Sequence, residues 1–235
     1  MSFKTAEKIR NRMKKHIRKL ALEYAHRLHR WKHKKEYTDI DQYLSKFRFS
    51  GGLKNFYGGY KLWNLHQLLL SFKPKRILEF GSGSSTMVFC EYLRKHNGSL
   101  LSIDEEEKWA LNTRRLVNLQ PTDSIEIINS KKKCRPDTVP REIKYELSLQ
   151  DYYDFVFVDG PSLKVDGVKW KDAVNSDVLE LAQRPEVIVV DGRRATARHL
   201  AQKYSDQYLI FLSDLFSDRP VKRNYNFFSY FVKKS

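Results

Sequence analysis

Five short stretches of this chain each place an acid or an amide where a strand would end, four of them beside glycine, serine or a basic residue. They are Glu79-Phe80-Gly81-Ser82-Gly83, Asp104-Glu105, Asn129-Ser130, Asp159-Gly160-Pro161 and Asp191-Gly192-Arg193. Each follows a run of aliphatic or aromatic residues, so each falls where a buried strand would end. Gly81 and Gly83 let the backbone turn sharply and approach a ligand closely. A phosphate-binding turn wants free N–H groups and no nearby negative charge, so Glu79 argues against phosphate. A cofactor carrying a sulfonium and a free amino group tolerates a carboxylate there and can use it. Asp104 lies 21 residues beyond Gly83, the spacing at which an acid reaches a ribose diol. Capping the next helix is its competing use. The loop alone leaves dinucleotide binding open, although Gly81-x-Gly83-x-x-Thr86 lacks the third glycine of that fingerprint.

The elements that must position these tips alternate. The pattern predicts a helix at about 61–72, a strand over 76–80, a helix at about 84–96 and a strand over 99–103. A helix over 106–118 and a strand over 125–128 come next, then an irregular basic stretch. Beyond it are expected a strand over 155–158, a helix over 170–182, a strand over 187–190 and a helix at about 194–204. Strands over 208–212 and 227–232 follow with no helix between them, so they should pair as a hairpin. The fold class is therefore α/β: a doubly wound, mostly parallel seven-stranded sheet with a C-terminal antiparallel strand. In such sheets ligands bind at the carboxyl ends of the strands, where the five tips fall.

The 235 residues suffice for one domain with an appendage. A hydrophobic content of 41% with 13% aromatics argues for a globular body. No apolar run approaches the ~18 residues of a membrane span. Cys90 and Cys134 match no metal motif and are expected to be free thiols in a reducing, cytoplasmic compartment. The net charge of +16 is uneven: residues 1–35 hold 13 Lys and Arg against only Glu7 and Glu23. Within 4–35, Ile9, Met13, Ile17, Leu20, Tyr24, Leu28 and Trp31 recur at helical spacing among the cations. This basic amphipathic helix can lie on an anionic membrane surface, grip nucleic acid, act as a presequence, or pack on the body. Membrane or packing is favoured over nucleic acid. Residues 36–60, rich in Gly and aromatics, read as a connector or a lid over a pocket. The division is thus 1–35, 36–60 and 61–235.

With Glu79 before the glycine loop and the hairpin at the end, the pattern resembles the class I S-adenosylmethionine-dependent methyltransferases. The resemblance covers 61–235 and is sharpest at 77–86, at Ser102-Ile103-Asp104 and at 153–160. It implies S-adenosylmethionine as cofactor. Glu79, Gly81, Ser82 and Gly83 would hold its amino-acid part, Asp104 its ribose hydroxyls, and Asn129 and Ser130 its adenine.

Methyltransferases of base amino groups typically carry Asn/Asp-Pro-Pro-aromatic after the fourth strand. Asp159-Gly160-Pro161-Ser162 differs and points instead to O-methylation of a sugar, a glycan or another hydroxylated small acceptor. Asp159 and Asp191 resemble the positions where catechol-type O-methyltransferases place two metal-binding carboxylates, which implies a divalent cation. Gly192 departs from that pattern, since those enzymes usually have an amide ligand there. Without a metal, Asp159 would serve as a general base; as plain structure, both carboxylates would cap helices or pair with Arg193 or Arg194. Lys164 is an acceptor-side base or acid binder. Two other functions compete: an RNA methyltransferase gripping its substrate with the basic helix, and a non-catalytic scaffold of methyltransferase-like fold. For the O-methyltransferase reading, the basic helix would hold a cytoplasmic enzyme at a membrane surface as a peripheral anchor.

Overall fold

A computed structural model describes residues 3–49, 58–170, 172–216 and 226–235. In chain order its elements are α1 (Phe3–Lys32), α2 (Tyr37–Phe49), α3 (Gly58–Phe72), β1 (Arg76–Phe80), α4 (Ser84–His96), β2 (Ser99–Asp104), α5 (Glu107–Val117) and β3 (Ile125–Asn129). Then come β4 (Lys132–Arg135), β5 (Arg141–Tyr145), β6 (Phe155–Val158), β7 (Lys164–Val165), β8 (Val168–Lys169) and β9 (Ala173–Asn175). The chain closes with β10 (Val187–Val190), α6 (Arg194–Lys203), β11 (Tyr208–Phe211) and β12 (Ser229–Lys233).

Seven strands form one sheet in the order β11-β12-β10-β6-β1-β2-β3. All pairings are parallel except those of β12, which runs antiparallel to both β10 and β11. Alternation along each strand divides the core into two layers. Ile77, Phe155, Phe157 and Val189 face one cluster with Leu62, Leu65 and Leu69 of α3 and Phe89 of α4. Leu78, Phe80, Val156 and Val190 face the other with Leu200 and Tyr204. The same alternation puts Glu79 on the α3–α4 side, in register with Ser102, and leaves it fully buried.

Three regions differ from the sequence reading. No helix spans 170–182. Ala173–Asn175 instead forms β9 beside β5, and Asp177–Glu180 is a single 3-10 turn. Asn175 and Asp177 are buried there, and Asp177 accepts the Tyr145 backbone N–H at 2.7 Å. Short polar side chains bonding to backbone compete with a helix. The basic stretch after β3 is not irregular, because β4 and β5 pair as a hairpin. Between 36 and 60, Tyr37–Phe49 is helical; Tyr37, Ile40 and Leu44 form its buried face at helical spacing. The lid reading of that stretch rests mostly on residues 50–57, outside the described residues.

The N-terminal helix forms, but its apolar stripe is not what packs. Met13 (59%), Ile17 (62%), Tyr24 (66%) and Trp31 (80%) are exposed. Leu22, His26 and His29 face inward instead. His26 stacks on Tyr60 at 4.6 Å between ring centroids, and His29 meets Trp63 edge-on at 4.2 Å.

Candidate functional site

The site is built at the carboxyl ends of β1, β2, β6 and β10. The ladder runs one residue beyond the strands: Gly81 N–H donates to the Ile103 carbonyl, Asp159 N–H to Phe80 and Asp191 N–H to Val158. That fixes the backbone of all three tips. Gly81 has φ +97°, and a Cβ there would lie 2.7 Å from the Asp159 carbonyl carbon. Only glycine permits both the turn and the approach.

Glu79 organises the glycine loop from beneath. Its carboxylate accepts hydrogen bonds from Ser85 Oγ, from Thr86 Oγ1 at 2.6 Å and from Ser102 Oγ at 2.6 Å. Thr86 Oγ1 in turn accepts the Gly83 N–H at 2.7 Å. Burial pushes the Glu79 pKa up to about 7, against the pull of the three hydroxyls. Asp104 fastens the loop from the side: Oδ2 accepts the Ser82 N–H and hydroxyl, both at 3.0 Å, and Oδ1 accepts the Glu106 N–H at 2.9 Å. Burial raises its pKa, and those hydrogen bonds oppose the rise. Trp109 Nε1 donates to the Ser82 carbonyl at 2.7 Å and closes the loop's outer edge.

Above the loop lies a cleft of about 420 Å³. Its acidic wall is Asp104, Glu105, Glu106 and Asp159; Ser82, Gly83 and the start of α4 form its floor, and Trp109 and Tyr145 are its aromatic groups. A second cleft of about 850 Å³ adjoins it. Lys61, Asp159, Ser162 and Arg193 line both, so the two spaces meet at those side chains.

Four charged groups dominate the junction. The first turn of α3 sends Lys61 Nζ to Asp191 Oδ2, in direct contact, and to Asp159 Oδ2 at 3.4 Å. Burial works against the Lys61 charge, but Asp191 and Asp159 outweigh it and hold its pKa above that of a free lysine. For Asp191, burial and then the neighbouring Asp159 carboxylate push the pKa up to about 7, against the pull of Lys61. Arg193 donates to the backbone carbonyls of Asp159 and Pro161 and to Asn175 Oδ1, and its Nε stands 3.7 Å from Asp159 Oδ1.

No family model and no curated protein sequence matches the chain. Solved structures do. The SAH-bound methyltransferase PaMTH1 of Podospora anserina aligns over 85% of this chain and 88% of its own, at 15% identity and a TM-score of 0.53. The O-methyltransferase of Bacillus cereus in complex with SAH aligns over 83% and 90%, at 16% identity and a TM-score of 0.50. The chain has the fold of these methyltransferases.

On this methyltransferase fold, Gly81, Ser82, Gly83 and Asp104 line the smaller cleft, as the sequence reading placed them. Glu79 does not reach the lining; it lies one layer below and acts through the loop. Asn129 and Ser130 are also absent from the cleft. Asn129 Nδ2 donates to the Asp104 carbonyl at 3.0 Å, and the Ser130 N–H donates to that same oxygen at 2.9 Å. These bonds brace the end of β2. Asp159 and Asp191 do come together, and Lys164 lines only the larger cleft.

Sequence reasoning missed Lys61, Trp109 and Tyr145. Lys61 is the most consequential. It precedes the sheet in a helix whose other signals are apolar, and nothing local marks it. The one clue was two carboxylate tips on adjacent strands, which need a cation between them.

Proposed function

We propose that the chain is an S-adenosylmethionine-dependent O-methyltransferase of a sugar or another hydroxylated small acceptor, working without a metal. The observation that carries this reading is the pair of clefts meeting at Lys61, Asp159, Ser162 and Arg193. The smaller cleft fits the donor by chemistry. Its acids suit an ammonium and a ribose diol and repel phosphate, while the α4 N-terminus favours a carboxylate. Gly81, Ser82 and Gly83 would hold the amino-acid end, Asp104 with Glu105 the ribose, and Trp109 with Tyr145 the ring. When bound, S-adenosylmethionine supplies an electrophilic methyl group on sulfur.

The residues present do not fit a divalent cation at Asp159 and Asp191. The Lys61 ammonium already stands between the two carboxylates. Gly192 supplies no side-chain ligand, and among the described residues no third His, Cys, Asp or Glu completes a metal cluster. The chain's own groups therefore do the acceptor-side chemistry. Asp159 is the open member of the cluster and faces both clefts, so it accepts the proton of the acceptor hydroxyl as the oxygen attacks. Lys61 and Asp191 hold it in place. Arg193 fixes the backbone on which Asp159 is carried, which maintains the alignment an in-line transfer needs.

Two further readings of the chain bear on where and how it works. The exposed apolar stripe of α1 beside the N-terminal cations supports peripheral attachment to an anionic membrane. The division into a helical appendage and an α/β body from α3 onward supports an anchor joined to an enzyme.

The test is transfer of labelled methyl groups from S-adenosylmethionine to a panel of hydroxylated sugars and catechols, with and without chelator. Transfer that resists chelator and is lost in Asp159→Asn supports the reading. Transfer that chelator abolishes and magnesium restores would overturn its metal-free part.

A further inference from the structure

The larger cleft carries charge that methyl transfer does not require. Its two acids, Asp159 and Asp191, are already met by Lys61 and Arg193. Beyond them the wall presents Lys164, Lys169, Arg194 and Arg198, with no further carboxylate in the lining. Among the described residues, Lys164, Lys169 and Arg198 have no ion-pair partner.

The placement of these cations is costly in itself. Lys164 and Lys169 are directly opposed across the β7–β8 ribbon, and like charges so placed are destabilising. Arg194 and Arg198 stand four residues apart on α6, again a destabilising spacing for like charges. Two independent elements thus bring cations to one cleft. A bound oxyanion relieves the Lys164–Lys169 repulsion and meets Arg198 in the same cleft. Trp170 and Phe227 give the same cleft an apolar surface against which a ring can lie.

We propose that the acceptor is anionic, a hydroxylated small molecule bearing a carboxylate or phosphate group. Lys164, Lys169 and Arg198 hold that group while its hydroxyl faces Asp159. This rests on reading the two clefts as donor and acceptor sites, and it narrows the acceptor class.

Trp170 in the cleft wall gives a fluorescence signal. Inorganic phosphate, D-glucose 6-phosphate, D-glucuronate and D-glucose are titrated into the full chain, both free and saturated with SAH, and a Trp170→Phe variant assigns the signal. Saturable binding of an anion roughly tenfold or more tighter than glucose is expected, weakening with salt and falling by a similar factor in Lys164→Ala/Arg198→Ala. The phosphate and glucuronate arms decide which oxyanion is preferred. Glucose binding as tightly as the anions, no saturation by any anion, or an unchanged double variant would each overturn the proposal. SAH binding, followed separately by calorimetry, reports the donor cleft: its loss with anion binding intact would strike the methyltransferase reading and leave the anion site standing.

Discussion

Replacing Lys61 with alanine tests the junction most sharply. The change removes the ammonium that, among the described residues, contacts both Asp159 and Asp191. Lys61 is 14% exposed at its side chain and Asp191 9%, so the pair is essentially buried. Breaking such a pair by deleting one partner costs about 3–5 kcal/mol, because a charge is left uncompensated. Part of that loss is recovered in acid, where Asp191 takes up a proton; its pKa, already pushed up to about 7, rises further without the ammonium. The variant should therefore lose more stability at pH 8 than at pH 5. It also leaves two facing carboxylates with room for a cation. Manganese at about 100 times its Kd should restore about 2.7 kcal/mol, whereas the wild type should gain nothing. Urea denaturation at both pH values, with and without manganese, reads all of this, and SAH binding confirms the fold. A wild type stabilised by manganese to the same extent, with the effect lost in Asp191→Asn, would refute the assignment of Lys61 as the resident cation.

Other consequences can be checked independently. Burial raises Glu79 from 4.5 to about 7, so the folded state holds a proton that the unfolded chain has lost. Its contribution is present below pH 4.5 and disappears as the pH climbs through 7, a difference of roughly 3 kcal/mol. Glu79→Gln should flatten the stability profile across that window relative to wild type, and equal profiles in denaturant titrations would contradict it. Gly81→Ala forces a Cβ to within 2.7 Å of the Asp159 backbone at φ +97°. A loss of at least about 2 kcal/mol is expected, together with weaker SAH binding; an unperturbed melting curve would show that the turn is not as tight as drawn. For α1, flotation with anionic liposomes should carry the full chain, and charged substitutions at Ile17, Tyr24 and Trp31 should leave it at the bottom. Equal flotation of Ile17→Asp/Trp31→Asp would remove the stripe from the argument.

The sheet was legible because each strand carries its own signal. Ile77–Phe80, Phe155–Val158 and Val187–Val190 are short apolar runs closed by an acid or a glycine turn, and burial on both faces reproduces that. The stretches on either side of β6, 131–153 and 164–182, were not legible. Their strands β4, β5 and β9 are only three to five residues long, and β5 is held by a distant partner, Arg141 lying opposite Ala173 of β9. Local pattern cannot report a partner that distant. The candidate site shows the same division. Gly81, Gly83 and Asp104 were marked by their spacing, and they line the smaller cleft. Lys61 was not, because its meaning lies in the ends of β6 and β10, far along the sequence. Glu79, Asn129 and Ser130 were identified by position but act one layer back, since strand alternation turns Glu79 inward and the end of β2 uses Asn129 and Ser130 as braces. The α1 stripe was read correctly as a helix, yet the packed face is the one bearing Leu22, His26 and His29, whose partners Tyr60 and Trp63 lie in α3.

The central claim is that the acidic cleft over Gly81–Gly83 binds the methyl donor. Calorimetric titration of the purified chain with S-adenosylmethionine and SAH addresses it directly. One site per chain is predicted for both, weakened roughly tenfold or more in Asp104→Ala and accompanied by a change in Trp109 fluorescence. A folded protein that gives no heat with either ligand, or that binds both unchanged in Asp104→Ala, would contradict it.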